Sequence, residues 1–177
     1  MLASPIGQID GEIGGNMLRN AKYIDENIVV EDKVNTFKKG KLAQVGFDVT
    51  VKEILCIEDN SFGKIMKDKT YAPEYIPILK CDIGDGKRGW ILSRGTYLVA
   101  INEGVKFGPK DTGFFIQRSS LNRSGCTIIS SIWDPGYNSS NANSTLRLNV
   151  DADKVVIEED TRIAQLIIWE NENTELY

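Results

Sequence analysis

The chain has 177 residues, with 21 Lys and Arg against 25 Asp and Glu, a net charge of −4 and no histidine. That balance gives no bulk attraction for nucleic acid or anionic lipid, so any phosphate it binds must be held by a local site. Without histidine there is no Ser-His-Asp or Cys-His nucleophile pair and no imidazole base; acid–base work falls to carboxylates, and charge stabilisation to arginine, lysine or a hard cation such as Mg2+.

The length suits a single domain, 1–177, with residues 1–25 as an N-terminal extension, and a hydrophobic fraction of 41% suffices for one core. No apolar run is long enough to span a membrane, and the start "MLASPIGQIDGEIGG" lacks the basic and apolar regions of a signal peptide. Cys56, Cys81 and Cys126 are odd in number, widely spaced and set in apolar contexts, which predicts buried free thiols in a reducing, cytoplasmic compartment. Neither nucleic acid nor membrane is expected as a partner.

In chain order, "MLRNAKYI" (Met17 to Ile24) predicts one short helix. From about Ile28 the texture changes to short runs rich in Val, Ile, Tyr, Phe and Thr. These are "NIVVED", "VGFDVTVKEILCI", "YIPILKCDI", "GWILSRGTYLVAI", "GFFIQRS", "GCTIISSIW", "STLRLNV", "KVVIEE" and "TRIAQLIIW". "GDGK" (Gly84 to Lys87) separates two of them in the manner of a hairpin. Many short strands with no long helical period between them predict an antiparallel all-β sandwich, jelly roll or barrel. No internal repeat or low-complexity linker interrupts the chain.

Four patterns carry chemistry. "GFDV" puts Asp48 inside an apolar strand, where a carboxylate is costly unless it is paired or serves a cation. "RSSLNRSG" (Arg118 to Gly125) reads two ways. Ser119 and Ser120 could simply cap a helical turn closed by Gly125, or the hydroxyls, with Arg118 and Arg123, could cradle an anion. "WDPGY" (Trp133 to Tyr137) is likewise either a plain Asp-Pro-Gly turn with a packed tyrosine, or a hairpin offering Asp134 as a base for water and Tyr137 as a stacking platform. Last, "RIAQLIIW" opens a late apolar strand with Arg162 and Gln165. Trp133 and Trp169 read as core or interface residues.

Taken in this order, the four patterns resemble the family of dUTPases and dCTP deaminases over roughly Ile28 to Trp169. Gly46-Phe47-Asp48 matches its strand motif, Arg118 to Gly125 its phosphate loop, Asp134-Gly136-Tyr137 its acid-plus-aromatic hairpin, and Arg162 to Leu166 its "RIAQL". The resemblance implies an all-β distorted jelly roll that forms a homotrimer with sites at subunit interfaces, and a deoxynucleoside triphosphate as substrate. It implies that Ser119 and Ser120 contact phosphate oxygens, that Arg118 stabilises the leaving pyrophosphate, and that Arg123 and Gln165 hold the phosphate end. Asp134 would orient the attacking water near the 3′-hydroxyl, Tyr137 would lie under the deoxyribose, and Asp48 would touch Mg2+ through water.

Which reaction follows depends on one carboxylate. Deaminases of this family carry a glutamate on the strand after the hairpin, and here the matching position in "STLRLNV" holds Arg147, with no Asp or Glu between Tyr137 and Val150. The expectation is therefore a dUTP diphosphatase, with dCTP deamination or a catalytically weak nucleotide-binding regulator as alternatives. The family's Gly-rich tail with Arg and Phe has no counterpart in "ENENTELY", and "NSSNAN" lengthens the hairpin.

Overall fold

The computed structural model describes residues 18–31, 45–139 and 144–171. A one-turn helix, α1 (Ala21–Tyr23), runs into a π-helical turn (Ile24–Ile28) and then β1 (Val29–Glu31). There follow β2 (Phe47–Ile57), β3 (Lys64–Ile65), β4 (Thr70–Tyr71), β5 (Tyr75–Pro77), β6 (Cys81–Gly84), β7 (Lys87–Ile101), β8 (Gly104–Val105) and β9 (Asp111–Gln117). A second short helix, α2 (Ser119–Arg123), leads to β10 (Cys126–Ile129), β11 (Thr145–Glu158) and β12 (Arg162–Glu170).

The main sheet is antiparallel, in the order β10-β11-β7-β2-β12-β9, with β5 added to β2 and β6 to β7. It curls until its two outer strands meet. Ile128 N–H donates to Gln117 Oε1 at 3.1 Å and Phe115 N–H to Ser130 Oγ at 3.2 Å, so side chains satisfy edge groups that lack a ladder partner. This is the expected all-β, jelly-roll-like architecture. Strand alternation fills the interior: on β11, Leu146, Leu148 and Val150 are buried while Thr145 and Arg147 face out. They join Phe47, Ile54, Trp90, Leu92, Ile163, Leu166 and Ile168 in one core.

Several boundaries differ from the sequence expectation for physical reasons. "STLRLNV" and "KVVIEE" form one strand, because a bulge between Val150 and Lys154 absorbs the polar "DAD" without ending the pairing with β7. "YIPILKCDI" splits into β5 and β6, and the break lets Trp90 Nε1 donate to Ile78 O at 2.9 Å. The expected Met17–Ile24 helix starts later. Asn20 caps it by accepting from Tyr23 N–H at 2.9 Å, while Leu18 is bridged to Trp169 as strand. Residues 18–25 of the expected extension are thus packed on the sheet, with Ala21 and Ile24 in the core. Cys126 is buried as expected and desolvation pushes its thiol up, but Cys81 lies exposed on the short strand β6.

Candidate functional site

Asp48 is buried near the start of β2, directly opposite Gln165 of β12. Its carboxylate gathers three donors. Arg162 Nη1 lies 3.1 Å from Oδ2, Arg118 Nε lies 3.5 Å from the same oxygen, and Gln165 Nε2 lies 3.5 Å from Oδ1. Two guanidiniums around one carboxylate leave a net positive site that suits a polyphosphate. The carboxylate itself tolerates burial because it is paired.

A bulge in β12 makes this possible. Arg162 pairs with Thr50 and Ala164 with Val49, so one extra residue intervenes on β12. In a regular strand, residues 162 and 165 would point to opposite faces; the bulge turns Arg162 onto the face of Gln165, while Ile163, Ala164 and Leu166 stay in the core. The spacing of "RIAQ" is the sequence form of that bulge. Arg162 is the residue that strand-period reasoning leaves out of the site, since alternation alone places it on the wrong face.

Gly46 closes the back of the cluster. It sits at φ +83°, and a Cβ there would lie 2.6 Å from Leu166 O and 2.8 Å from Gln165 Cγ. Gly46→Ala is expected to cost about 2–3 kcal/mol through strain and overpacking, and to raise KM by displacing Gln165. Gly136→Ala, at φ +79° with open space around it, should cost only about 1 kcal/mol. Thermal denaturation of the two variants checks the difference.

The "RSS" loop follows β9. Arg118 occupies the extended N-cap position of α2 (φ −74°, ψ 148°) and makes no side-chain capping bond. Ser119 and Ser120 are exposed residues of the helix itself, and among the described residues neither hydroxyl has a partner. The capping interpretation of the serines therefore fails, and both hydroxyls face solvent beside Arg118. Arg123 is exposed in the last turn of α2.

The "WDPGY" hairpin is built by different contacts. Tyr137 N–H donates to Asp134 O at 3.1 Å, closing a turn with Pro135 and Gly136 (φ +79°) at its centre, the geometry of a type II turn. The backbone of Asp134 thus makes the turn, while its exposed carboxylate has no partner among the described residues. Phe107 N–H donates to Tyr137 O at 2.8 Å and Ser139 N–H to Val105 O at 2.9 Å, which stitch the hairpin to β8; β1 pairs with the other edge of β8. Tyr137 is half-buried, its ring centroid 4.6 Å from that of Trp133, which in turn meets Phe115 edge-on at 4.7 Å. Trp133 is core, as expected, whereas Trp169 is partly exposed.

The two groups of residues do not meet within one chain. Trp133 exchanges both backbone hydrogen bonds with Gly113, near the start of β9, whereas Arg118 follows its end. Five residues of strand separate them, about 16 Å. Arg147 projects from the outer face of β11, between Leu98 and Ile129 in register. Among the described residues no group of three or more His, Cys, Asp or Glu could hold a metal ion alone.

The chain is similar to known proteins over most of its length. The chain is 30% identical over 142 residues to a probable deoxyuridine 5′-triphosphate nucleotidohydrolase of Aeropyrum pernix, covering 80% of this chain and 84% of that one. It is 31% identical over 103 residues to the deoxyuridine 5′-triphosphate nucleotidohydrolase of Methanocaldococcus jannaschii, covering 58% of this chain and 64% of that one. The crystal structure of 2′-deoxycytidine 5′-triphosphate deaminase from Agrobacterium tumefaciens superposes with a TM-score of 0.63 at 13% identity, over 90% of this chain and 50% of that one, a likeness of fold. The model of the dCTP deaminase-like family matches residues 18–171, from the bridge at Leu18 to the end of β12 and across every element that builds both halves of the site, and on that match the chain belongs to the dCTP deaminase-like family.

Proposed function

We propose that the protein is a dUTP diphosphatase that hydrolyses dUTP to dUMP and pyrophosphate. The observation that carries this reading is the unpartnered, solvent-facing carboxylate of Asp134 beside the half-buried Tyr137 ring. A carboxylate left free on a turn that its backbone already closes can accept a proton from water. The water oxygen bonds to the α-phosphorus, its proton passes to Asp134, and the P–O bond to the β-phosphate breaks with its electron pair leaving on pyrophosphate. Arg118, Arg162 and Gln165, gathered on Asp48, meet the charge that develops on the leaving group. Ser119 and Ser120 hydroxyls donate to phosphate oxygens, and Arg123 adds a cation to the same loop. Relatives named as dUTP nucleotidohydrolases support the choice of reaction. Arg147, on the outer face of β11 where deamination would call for a carboxylate, supports hydrolysis over deamination.

The separation of the two halves along β9 supports sites built between subunits, with the loop of one chain facing the hairpin of another, as in a homotrimer. Among the described residues no protein cage for a cation forms, and a Mg2+ would have to be carried in on the triphosphate; Asp48 Oδ1, which takes only the 3.5 Å contact from Gln165 while Oδ2 faces both guanidiniums, is the oxygen that would accept from a water on that ion. When bound, that ion would neutralise phosphate charge and orient the chain of phosphates.

The test is a product assay with Mg2+ on dUTP, dCTP, dTTP and UTP separately. Conversion of dUTP alone to dUMP and pyrophosphate is expected. Conversion of dCTP to a uracil nucleotide would overturn the assignment in favour of deamination, and binding without turnover would move the protein to the regulatory class. Tyr137→Ala removes the ring that would exclude a 2′-hydroxyl. It should narrow the preference for dUTP over UTP at least about 10-fold in kcat/KM.

A further inference from the structure

The segment between β2 and β5 takes no part in the site. There β3 and β4 form a two-stranded hairpin that pairs with no other described strand, its turn closed by Met66 N–H donating to Lys69 O at 2.9 Å. A hairpin of this size is marginal alone in water. This one nonetheless carries Phe62, Ile65, Met66 and Tyr71 at 67%, 89%, 60% and 48% exposure. Four large apolar side chains on one exposed arm indicate a surface that becomes covered.

The charges on the arm say by what. Lys67 and Lys69 lie in its turn and Lys64 opens β3 opposite Tyr71, and among the described residues none has an ion pair. Lys64 and Lys69 instead lie over the rings of Phe62 and Tyr71, at 5.1 and 4.7 Å. At the base, Glu58, Asp59 and Glu74 line a cleft of about 440 Å³ together with Phe62 and Ala72. Glu58 N–H donates to Glu74 O at 3.0 Å, and hydrogen bonding to the neighbouring Glu74 carboxyl, with its charge, pushes Glu58 up from the usual carboxylate range. No cation among the described residues pairs with these acids.

We infer that the arms of two copies of this chain associate side by side about a two-fold axis, the lysine-bearing tip of each entering the acidic cleft at the base of the other. An antiparallel pair satisfies every element at once: a tip lysine separates the Glu58 and Glu74 carboxylates, and the exposed apolar side chains of the two arms cover each other. A two-fold contact is self-complementary by construction, and this arm carries both signs at opposite ends. The arm leaves the sheet after Ile57, nine residues along β2 from Asp48 and about 30 Å away, so the contact leaves the phosphate site open. It doubles whatever particle forms around the active sites.

Sedimentation velocity on the full chain tests this with two charge-reversed variants, one carrying K64E, K67E and K69E and the other E58K and E74K. The wild-type particle is expected to have twice the mass of either variant, and an equimolar mixture of the two variants should recover the doubled mass. Ile65→Glu with Met66→Glu should halve the mass in the same way. All variants should keep the wild-type circular dichroism spectrum and the activity of the unmodified chain, so a folding defect is separable from lost association. Equal masses for wild type and variants across concentrations, or a mixture that fails to double, would overturn the proposal. Neither result bears on dUTP hydrolysis, which is measured independently.

Discussion

Replacing Asp134 by Asn is expected to lower kcat for dUTP by about 10²–10⁴-fold, the usual worth of a positioned general base, and to leave nucleotide affinity within a few-fold of wild type. The asymmetry follows from the geometry. The turn is closed by the Asp134 carbonyl and held by backbone bonds from Phe107 and Ser139, none of which uses the carboxylate. The amide is isosteric and can still hydrogen-bond a sugar hydroxyl, so binding survives, but it cannot accept a proton from water. Single-turnover rates beside equilibrium titration with a non-hydrolysable dUTP analogue measure the two effects separately. Equal turnover in the variant would remove Asp134 as the base. A matching loss of affinity would show instead that the carboxylate serves binding.

How far the site was legible in the sequence depended on whether each residue's role is local. The Asp-Pro-Gly-Tyr turn, the positive-φ glycine within it and the break after "GFFIQ" are decided within four or five residues, so pattern reading locates them. The strands of the core are legible for the same reason, because apolar alternation fixes which face is buried. What escaped were features that depend on pairing between distant segments. Nothing within "RIAQ" announces that one residue is extra relative to β2, so Arg162's position beside Asp48 emerges only when the register is known. The partition of the site along β9 likewise rests on the Gly113–Trp133 bridge, a contact across twenty residues of sequence. The β3–β4 arm has neither core alternation nor a turn signature of the usual kind, and its apolar residues look like strand residues until they prove to face solvent.

Asp48→Asn should have the second large effect, and its sign differs between stability and phosphate binding. Asp48 is the counter-charge for Arg118 and Arg162, its side chain 9% exposed against 28% and 34% for theirs. Removing a fully buried partner costs about 3–5 kcal/mol. Because both guanidiniums here keep part of their hydration, about 1–3 kcal/mol is the expected loss, a fall in Tm of several degrees for a chain of this size. The same substitution removes the negative charge that Arg118 and Arg162 share. Pyrophosphate should therefore raise the Tm of the variant more than that of wild type, since the ligand supplies the missing negative charge. Turnover should fall even so, because Arg118 is no longer held toward the leaving group, and excess ground-state attraction for product does nothing for the transition state. Thermal shift with and without pyrophosphate, beside kcat, decides the matter. If the variant melts as wild type does and gains no more from pyrophosphate, then Asp48 does not organise the two arginines, and the phosphate site must be held by Ser119, Ser120 and Gln165 without it.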